Sequence, residues 1–245
     1  LKAVDLFEAV EAGKIKAIWI MATNPVVSLP NADQVKRALE KCEFVIVSDI
    51  CKDTDTTQYA DVLLPALGWG EKDGTVTNSE RRISRQRAFL DCPEQAKADW
   101  WSVSQVAKKL GFSGFDFESS HDIFKEHAEL SAYQNAGLSQ CSASDVFRYF
   151  NLKGLSDLSF TEYQYLAPVQ WPILNKNQQD GAVAQLFETG QFSHADRKAK
   201  FIATAAVGAV NKTCSEYPLV LNTGRIRDQW HTMTRTGLSA NLSTH

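Results

Sequence analysis

Two short apolar runs, separated by one helix-like segment, constrain the fold of this chain more than any other feature. Ile15–Met21 (IKAIWIM) and Phe44–Val47 (FVIV) have the length and the β-branched content of buried strands. Between them, Asn31 precedes a segment with apolar residues at helical spacing that extends to Cys42. A strand, a helix and a second strand in this order form a right-handed βαβ unit. The pattern therefore predicts an α/β fold, with a Rossmann-like parallel sheet and flanking helices on both faces.

The remaining elements are predicted from the same periodicities. Further helices are expected at Val4–Ala12, Ala96–Leu110, Ser120–Leu130 and Asp157–Leu166, and further strands at Asp61–Leu64 and Leu219–Leu221. The helix at Ser120–Leu130 is expected to be capped by Ser119 or Ser120. Thr75–Thr77 and Arg82–Arg87 are compatible with either short strands or irregular backbone. The long helix at Ala96–Leu110 is expected to bury one apolar stripe, formed by Ala96, Trp100, Val103, Val106, Ala107 and Leu110.

Composition and charge exclude several classes of partner. The 245 residues carry a net charge of −3, which gives no electrostatic basis for binding nucleic acid or an anionic membrane. No apolar run reaches the roughly 20 residues that span a bilayer. The five cysteines are scattered and form no C-x-x-C pair, so reduced thiols and a cytoplasmic location are expected. The chain starts with Leu1 rather than methionine, which suggests a piece of a longer protein.

Polar residues follow the predicted strand at Phe44–Val47 immediately. In an open α/β sheet, ligands bind in the crevice beyond the carboxyl ends of the strands. The carboxylate of Asp49, next to Ser48, could accept two parallel hydrogen bonds from guanine or from ribose hydroxyls. The same pair could equally cap a turn. The residues alone leave both readings open.

The densest polar cluster runs from Glu71 to Arg82. Lys72 could meet a phosphate as a point charge, and Arg81 or Arg82 could bind one in bidentate fashion. Taken alone, the cluster is more typical of a solvated hairpin with surface ion pairs, which contribute little to stability.

A third polar cluster surrounds Gly224. Its backbone amides, just past the predicted strand Leu219–Leu221, could cradle a phosphate, and His231 could donate a hydrogen bond to a ligand. A lone histidine is nevertheless more often structural. No G-x-G-x-x-G motif, P-loop or nucleophilic Ser/His/Asp or Cys/His grouping occurs, so no catalytic residue is assigned.

The order of these clusters resembles one family. W-I-M-A-T-N-P begins at Trp19 and V-I-V-S-D ends at Asp49; Y-A-D-V-L-L-P, E-K-D-G-T-V-T-N-S-E-R-R and A-K-A-D-W-W follow, and L-N-T-G-R-I-R-D-Q-W-H-T-M-T-R-T-G begins at Leu221. In this order the motifs resemble the large catalytic subunit of bacterial molybdopterin-dependent oxidoreductases. The A-P-V-Q-W-P segment at Ala167–Pro172 makes the chain most similar to assimilatory nitrate reductase.

The resemblance implies an activity and a set of cofactors. Such enzymes reduce nitrate to nitrite with molybdenum held between two molybdopterin guanine dinucleotides (Mo-bis-MGD), and take electrons from a donor protein or domain. A 4Fe-4S cluster is expected in the full-length protein but not in this piece. The ligating cysteines have no match here, so we expect neither metal ligands nor catalytic residues in this chain, and no activity from it in isolation.

The resemblance also implies residue roles. The residues matching cofactor-contacting motifs are Asn24, Ser48, Asp49, Lys72, Asp99, Thr223, Gly224, Arg225, Trp230, His231 and Thr232. Among them, Asp49 is expected at the guanosine end and Lys72 at a phosphate or the pterin. The run from Thr223 to Thr232 is expected to wrap the cofactor through backbone amides, with Trp230 and His231 near the pterin.

Three regions follow from the same comparison. Residues 1–130 would be the C-terminal part of the α/β domain, 131–216 a mixed connecting region, and 217–245 the truncated start of a β-barrel-type dinucleotide-binding domain. Two alternatives remain open at this point. One is a non-catalytic α/β binding module, and the other is a family member that acts on formate or another oxo-acid.

Overall fold

The computed structural model describes residues 2–93, 95–135, 148–177, 185–222 and 224–243. The helices are α1 (Ala3–Glu11), α2 (Pro25–Ser28), α3 (Ala32–Lys41), α4 (Asp99–Lys109), α5 (Ser120–Ala132) and α6 (Phe160–Gln164). The strands are β1 (Ala17–Met21), β2 (Phe44–Asp49), β3 (Val62–Pro65), β4 (Gly74–Thr77), β5 (Arg82–Gln86) and β6 (Val169–Gln170). Short 3-10 turns occur at Thr57–Tyr59, Trp69–Glu71, Lys153–Leu155 and Thr236–Leu238.

The chain divides into two compact units. The first contains Leu1–Leu67, Pro93–Asp99 and Ala205–His245, and the second contains Gly68–Cys92 and Trp100–Thr204. This division follows packing density, so the predicted boundaries at residues 130 and 216 remain predictions.

The first unit is built on a three-stranded parallel sheet in the order β1-β2-β3. Ala17 lies opposite Phe44, and Ile46 lies opposite Val62. Gly13, at φ +70°, ends the turn after α1, as expected for a residue that follows a helix C-terminus. The predicted α/β fold with a parallel sheet is therefore confirmed.

Helices cover one face of this sheet. α1, α2 and α3 join Val45 and Val47 in a common core, in which Val10 and Ala38 are fully buried. On the opposite face, Trp19 and Ile46 are only half-buried. Among the described residues of this unit, the predicted α-helical cover is thus seen on one face rather than on both.

The second unit contains an antiparallel hairpin of β4 and β5, which β6 extends. The backbone that the sequence left open between strand and irregular structure is therefore a hairpin. Its inner face packs Ile83 against Phe124, Leu152, Tyr163 and other buried residues. Ser119 is the cap of α5: its Oγ accepts a hydrogen bond from the amide of Asp122, which resolves the choice between Ser119 and Ser120.

The apolar stripe predicted for the long helix is confirmed at Ala96 and Ala107, which are buried, and is wrong for its larger aliphatic residues. α4 begins at Asp99, and within it Ser104 and Ala107 are the buried residues, whereas Val103, Val106 and Leu110 are exposed. Ser104 tolerates burial because its Oγ donates to the carbonyl of Trp100 at 2.7 Å. A small hydroxyl satisfied inside its own helix can therefore take a buried position that apolar periodicity does not indicate.

The strand predicted at Leu219–Leu221 does not form. Leu219 and Leu221 are 86% and 94% exposed, and no described residue pairs with this segment. A strand needs a neighbour for its backbone groups, and an apolar run alone does not supply one. The described residues from 217 onward contain turns and the 3-10 turn Thr236–Leu238, so the predicted start of a barrel is not seen.

Two smaller findings complete the comparison. The helix expected at Asp157–Leu166 is shorter, because α6 covers Phe160–Gln164 and is capped by Ser159. Within the described part of the chain, no helix combines the length and apolar character needed to cross a membrane.

Candidate functional site

The structure brings three of the predicted residues together at the carboxyl edge of the parallel sheet. Asn24 follows β1, and Ser48 and Asp49 end β2. All three are buried, although polar residues are usually found at the surface. Buried polar groups require hydrogen-bond partners, so their contacts define this edge.

Asn24 is held by three hydrogen bonds. Its Oδ1 accepts from Thr56 Oγ1 at 2.6 Å. Its Nδ2 donates to Thr234 Oγ1 at 3.1 Å and to Asp55 Oδ2 at 3.3 Å. The amide is therefore fixed in orientation, and it links the end of β1 to the loop after β2 and to the C-terminal segment of the same unit.

Asp49 carries a buried carboxylate, with its side chain 3% exposed. Its Oδ1 accepts from the amide of Cys51 at 3.0 Å and from Arg235 Nη2 at 2.9 Å. The bond to Cys51 is the turn cap that the sequence left open as an alternative. Because both of these bonds fall on Oδ1, capping does not occupy the whole carboxylate.

A pocket of about 160 Å³ lies beside this carboxylate, lined by Val47, Asp49, Ile50, Cys51, Lys52, Thr57, Leu63, Leu64 and Pro65. Its walls are mainly aliphatic, with Asp49, Lys52 and Thr57 as the polar groups. The volume lies below the roughly 300 Å³ of a pocket that encloses a whole ligand. The pocket therefore suits one ring system of a larger molecule.

Ser48 is satisfied within the sheet. Its Oγ accepts from Trp19 Nε1 at 2.8 Å, and its carbonyl accepts from the amide of Ala22 at 2.9 Å. Both bonds link β2 to β1. Ser48 is thus held in place at this edge, next to Asp49.

Asp99 also belongs to the first unit and follows a segment attached to the same edge. Lys97 forms a parallel bridge with Ala66, its amide donating to the carbonyl of Pro65 at 3.1 Å. Asp99 then begins α4, where a carboxylate is favoured by the helix dipole. Lys72 lies in the second unit, half-buried, directly after the 3-10 turn Trp69–Glu71.

The C-terminal residues of the first unit line a second pocket. Gly224, Arg225 and His231 line a pocket of about 240 Å³. Trp230 is 71% exposed and its ring meets His231 edge-on at 4.7 Å. Thr232 Oγ1 lies 2.9 Å from Thr234 Oγ1. Thr223 lies outside the described residues.

Three residues of this edge were missed by the sequence reasoning. Thr56, Thr234 and Arg235 contact Asn24 or Asp49 directly. Arg235 is 186 positions away from Asp49 in the chain. The only local signal was the run Thr232–Thr236, in which small hydroxyls flank an arginine, and this pattern does not identify a partner.

Comparison with known proteins finds a matching family for the first part of the chain. Residues 1–109 match the family described as "Molybdopterin oxidoreductase". The chain is 52% identical over 244 residues to a "Nitrate reductase" of Shewanella frigidimarina. The aligned region covers 99% of this chain and 25% of that protein.

Two further relatives show the breadth of the similarity. The chain is 32% identical to the "Assimilatory nitrate reductase catalytic subunit" of Bacillus subtilis, over 99% of this chain and 32% of that protein. It is also 32% identical to the "F420-dependent formate dehydrogenase subunit alpha" of Methanocaldococcus jannaschii, over 95% of this chain and 31% of that protein. The chain spans about a quarter to a third of the length of these curated relatives. Residues 1–109 therefore match the molybdopterin oxidoreductase family, in agreement with the resemblance predicted from the ordered motifs.

Proposed function

We propose that this chain supplies part of the cofactor site of a nitrate reductase, and that Asp49 binds the guanine of a molybdopterin guanine dinucleotide. The observation that carries the proposal is the buried carboxylate of Asp49 at the wall of an aliphatic pocket that suits one ring system. Ligands of open α/β sheets bind at this edge, which supports the same assignment.

The chemistry of the pocket fits guanine. Guanine presents N1–H and N2–H₂ as neighbouring donors, and Asp49 Oδ2, which carries neither of the two bonds made by Oδ1, can accept from this donor edge. Aliphatic side chains of Ile50, Leu63 and Pro65 offer flat packing for the ring. The amide of Cys51 and the guanidinium of Arg235 hold the Asp49 carboxylate, so its orientation is fixed before a ligand arrives.

The other contact residues keep their proposed roles. Asn24, Ser48 and Asp99 would contact the cofactor, and Lys72 would meet a phosphate or the pterin. The backbone from Thr223 to Thr232, including Gly224 and Arg225, would wrap the cofactor, with Trp230 and His231 near the pterin. When bound, the molybdenum cofactor supplies the two-electron chemistry that converts nitrate, two protons and two electrons into nitrite and water.

The remaining parts of the site would lie elsewhere in the complete protein. We propose that it carries the Mo-bis-MGD form of the cofactor together with a 4Fe-4S cluster, receives electrons from a donor protein or domain, and works in the cytoplasm. The similarity to a formate dehydrogenase subunit favours formate as the second candidate substrate. A non-catalytic module would differ from both, because it would bind no molybdenum.

The test is Asp49→Asn in the complete polypeptide that carries this sequence, isolated with its cofactor. Losing a charge-assisted bond to guanine should reduce bound molybdenum and guanine nucleotide by roughly tenfold or more, since such bonds contribute about 1.5–3 kcal/mol. Asp33→Asn, at an exposed carboxylate of α3, is the matched control.

A second variant separates ligand binding from the internal ion pair. Arg235→Met removes the partner of Asp49 and keeps the carboxylate. If Asp49 acts only as an anchor for Arg235, both variants should lose cofactor equally. Wild-type molybdenum content in Asp49→Asn would refute the proposal.

A further inference from the structure

Arg85 occupies a core position of the hairpin in the second unit. Along β5, Ile83 and Arg85 are the buried residues, and the residues between and beside them are half-buried. The Arg85 side chain is 0% exposed, and its Cζ lies 3.9 Å from the ring centroid of Tyr163. A buried cation persists only where charge and hydrogen bonds compensate it, so its partners indicate its role.

This guanidinium is one member of a closed ring of hydrogen bonds. Arg85 Nη2 donates to Asp73 Oδ1 at 2.7 Å, and Nη1 donates to the Tyr163 hydroxyl at 3.1 Å. The Tyr163 hydroxyl donates to Ser120 Oγ at 3.3 Å, and Ser120 Oγ donates to the second oxygen of Asp73. Burial raises the pKa of Tyr163, which keeps the phenol in the protonated form that the ring requires.

The ring fixes the backbone beside Lys72. Both oxygens of Asp73, the next residue, are engaged, and Arg85 Nη1 also donates to the carbonyls of Gly74 and Gln86. The other side of Lys72 is held as well, because Gln86 Nε2 donates to the carbonyl of Trp69 at 2.8 Å. Lys72 thus sits on a loop that is fastened to β5 on both sides.

We propose that Arg85 is the positioning residue for Lys72, fixing the loop from which Lys72 meets a phosphate or the pterin of the cofactor. This inference rests on the proposed function, in which Lys72 is a cofactor contact. An ammonium could not replace the guanidinium here, because one planar fork spans a carboxylate and backbone carbonyls while its face stacks on Tyr163.

The experiment compares Arg85→Lys with Lys72→Met and with the double variant, in the complete polypeptide isolated with its cofactor. Molybdenum and guanine nucleotide bound per polypeptide, their rate of loss on warming, and the midpoint of thermal unfolding are measured. Arg87→Lys is the matched control, since it makes the same exchange two residues further along at an exposed site. We expect about a tenfold loss of cofactor from either single variant, a typical effect of a group that orients a ligand.

The double variant decides whether the two residues act as one unit. If Arg85 acts through Lys72, the double variant should lose no more cofactor than Lys72→Met alone. The KM for nitrate of the molecules that retain molybdenum should stay unchanged. If the cofactor losses of the two single variants instead multiply in the double variant, Arg85 has a merely structural role and the inference is overturned. An unchanged cofactor content in Arg85→Lys would overturn it as well.

Two further outcomes keep the tests distinguishable. Should Arg85→Lys fail to fold, Tyr163→Phe opens the ring and keeps the aromatic stack, and it should show a smaller loss of the same non-additive kind. If the cofactor losses of Tyr163→Phe and Lys72→Met multiply when the two changes are combined, the positioning role is equally refuted. If Lys72→Met binds cofactor normally while Asp49→Asn does not, this inference fails and the proposed function stands. A wild-type cofactor content in Asp49→Asn would refute the proposed function itself.

Discussion

At the scale of single residues, Glu162 makes the sharpest prediction about pH. Lys176 Nζ lies 2.6 Å from one of its oxygens, and the amide and hydroxyl of Ser159 both donate to the other at 2.8 Å. The bond to Lys176 first, and those from Ser159 next, lower the pKa of Glu162 from 4.5 to about 2. These bonds favour the ionised form in the folded state, so their stabilisation is present above pH 4.5 and disappears as the pH falls toward about 2.

Glu162→Gln should therefore lower the thermal midpoint above pH 4.5, and its curve should meet that of the wild type near pH 2. Circular dichroism melts across this range measure the difference. Glu129→Gln, at an exposed glutamate of α5, is the control. A gap between Glu162→Gln and wild type that is constant with pH would show that ionisation of Glu162 is not linked to folding.

At the scale of elements, the N-terminus of α5 depends on a reciprocal cap. Ser119 Oγ accepts from the amide of Asp122 at 3.4 Å, and Asp122 Oδ2 accepts from the amides of Glu118 and Ser119 at 3.0 Å each. The bond from Glu118 is the main cause of the lowered pKa of Asp122. Ser119→Ala should cost about 1 kcal/mol in urea unfolding. Ser113→Ala, in the exposed loop before the helix, should cost almost nothing, and equal losses would contradict the cap.

Elements were predictable where their cause is local. The cap of α5 and the strand–helix–strand unit follow from neighbouring residues, and both formed as expected. The stripe of α4 failed because burial there depends on what packs against the helix, and Ser104 met its own hydrogen-bond need. The strand at Leu219–Leu221 failed because pairing requires a second strand that the run itself does not specify.

At the scale of the whole molecule, the candidate site shows the same limit. The sequence predicted Asp49 because polar residues that end parallel strands share one edge, and it predicted Asn24 through the resemblance of its motif. It could not predict that Thr234 lies 210 positions from Asn24 in the chain and yet binds it, since tertiary folding alone creates such a contact. Arg85 was missed for a different reason: the spacing of β5 places it beside Ile83 on the inner face, but a cation there is expected only once Asp73 and Tyr163 are known.

The substrate is the last property to be decided at this scale. We propose nitrate because the chain is 52% identical to a nitrate reductase and 32% identical to a formate dehydrogenase subunit. The two substrates differ in electron flow, because nitrate accepts two electrons whereas formate gives up two. The complete polypeptide that carries this sequence should therefore oxidise reduced methyl viologen when nitrate is added, and should not reduce oxidised viologen with formate. Asp49→Asn should lower the nitrate rate per polypeptide while leaving the rate per bound molybdenum intact. Formate-dependent reduction faster than the nitrate reaction would assign the chain to the second candidate.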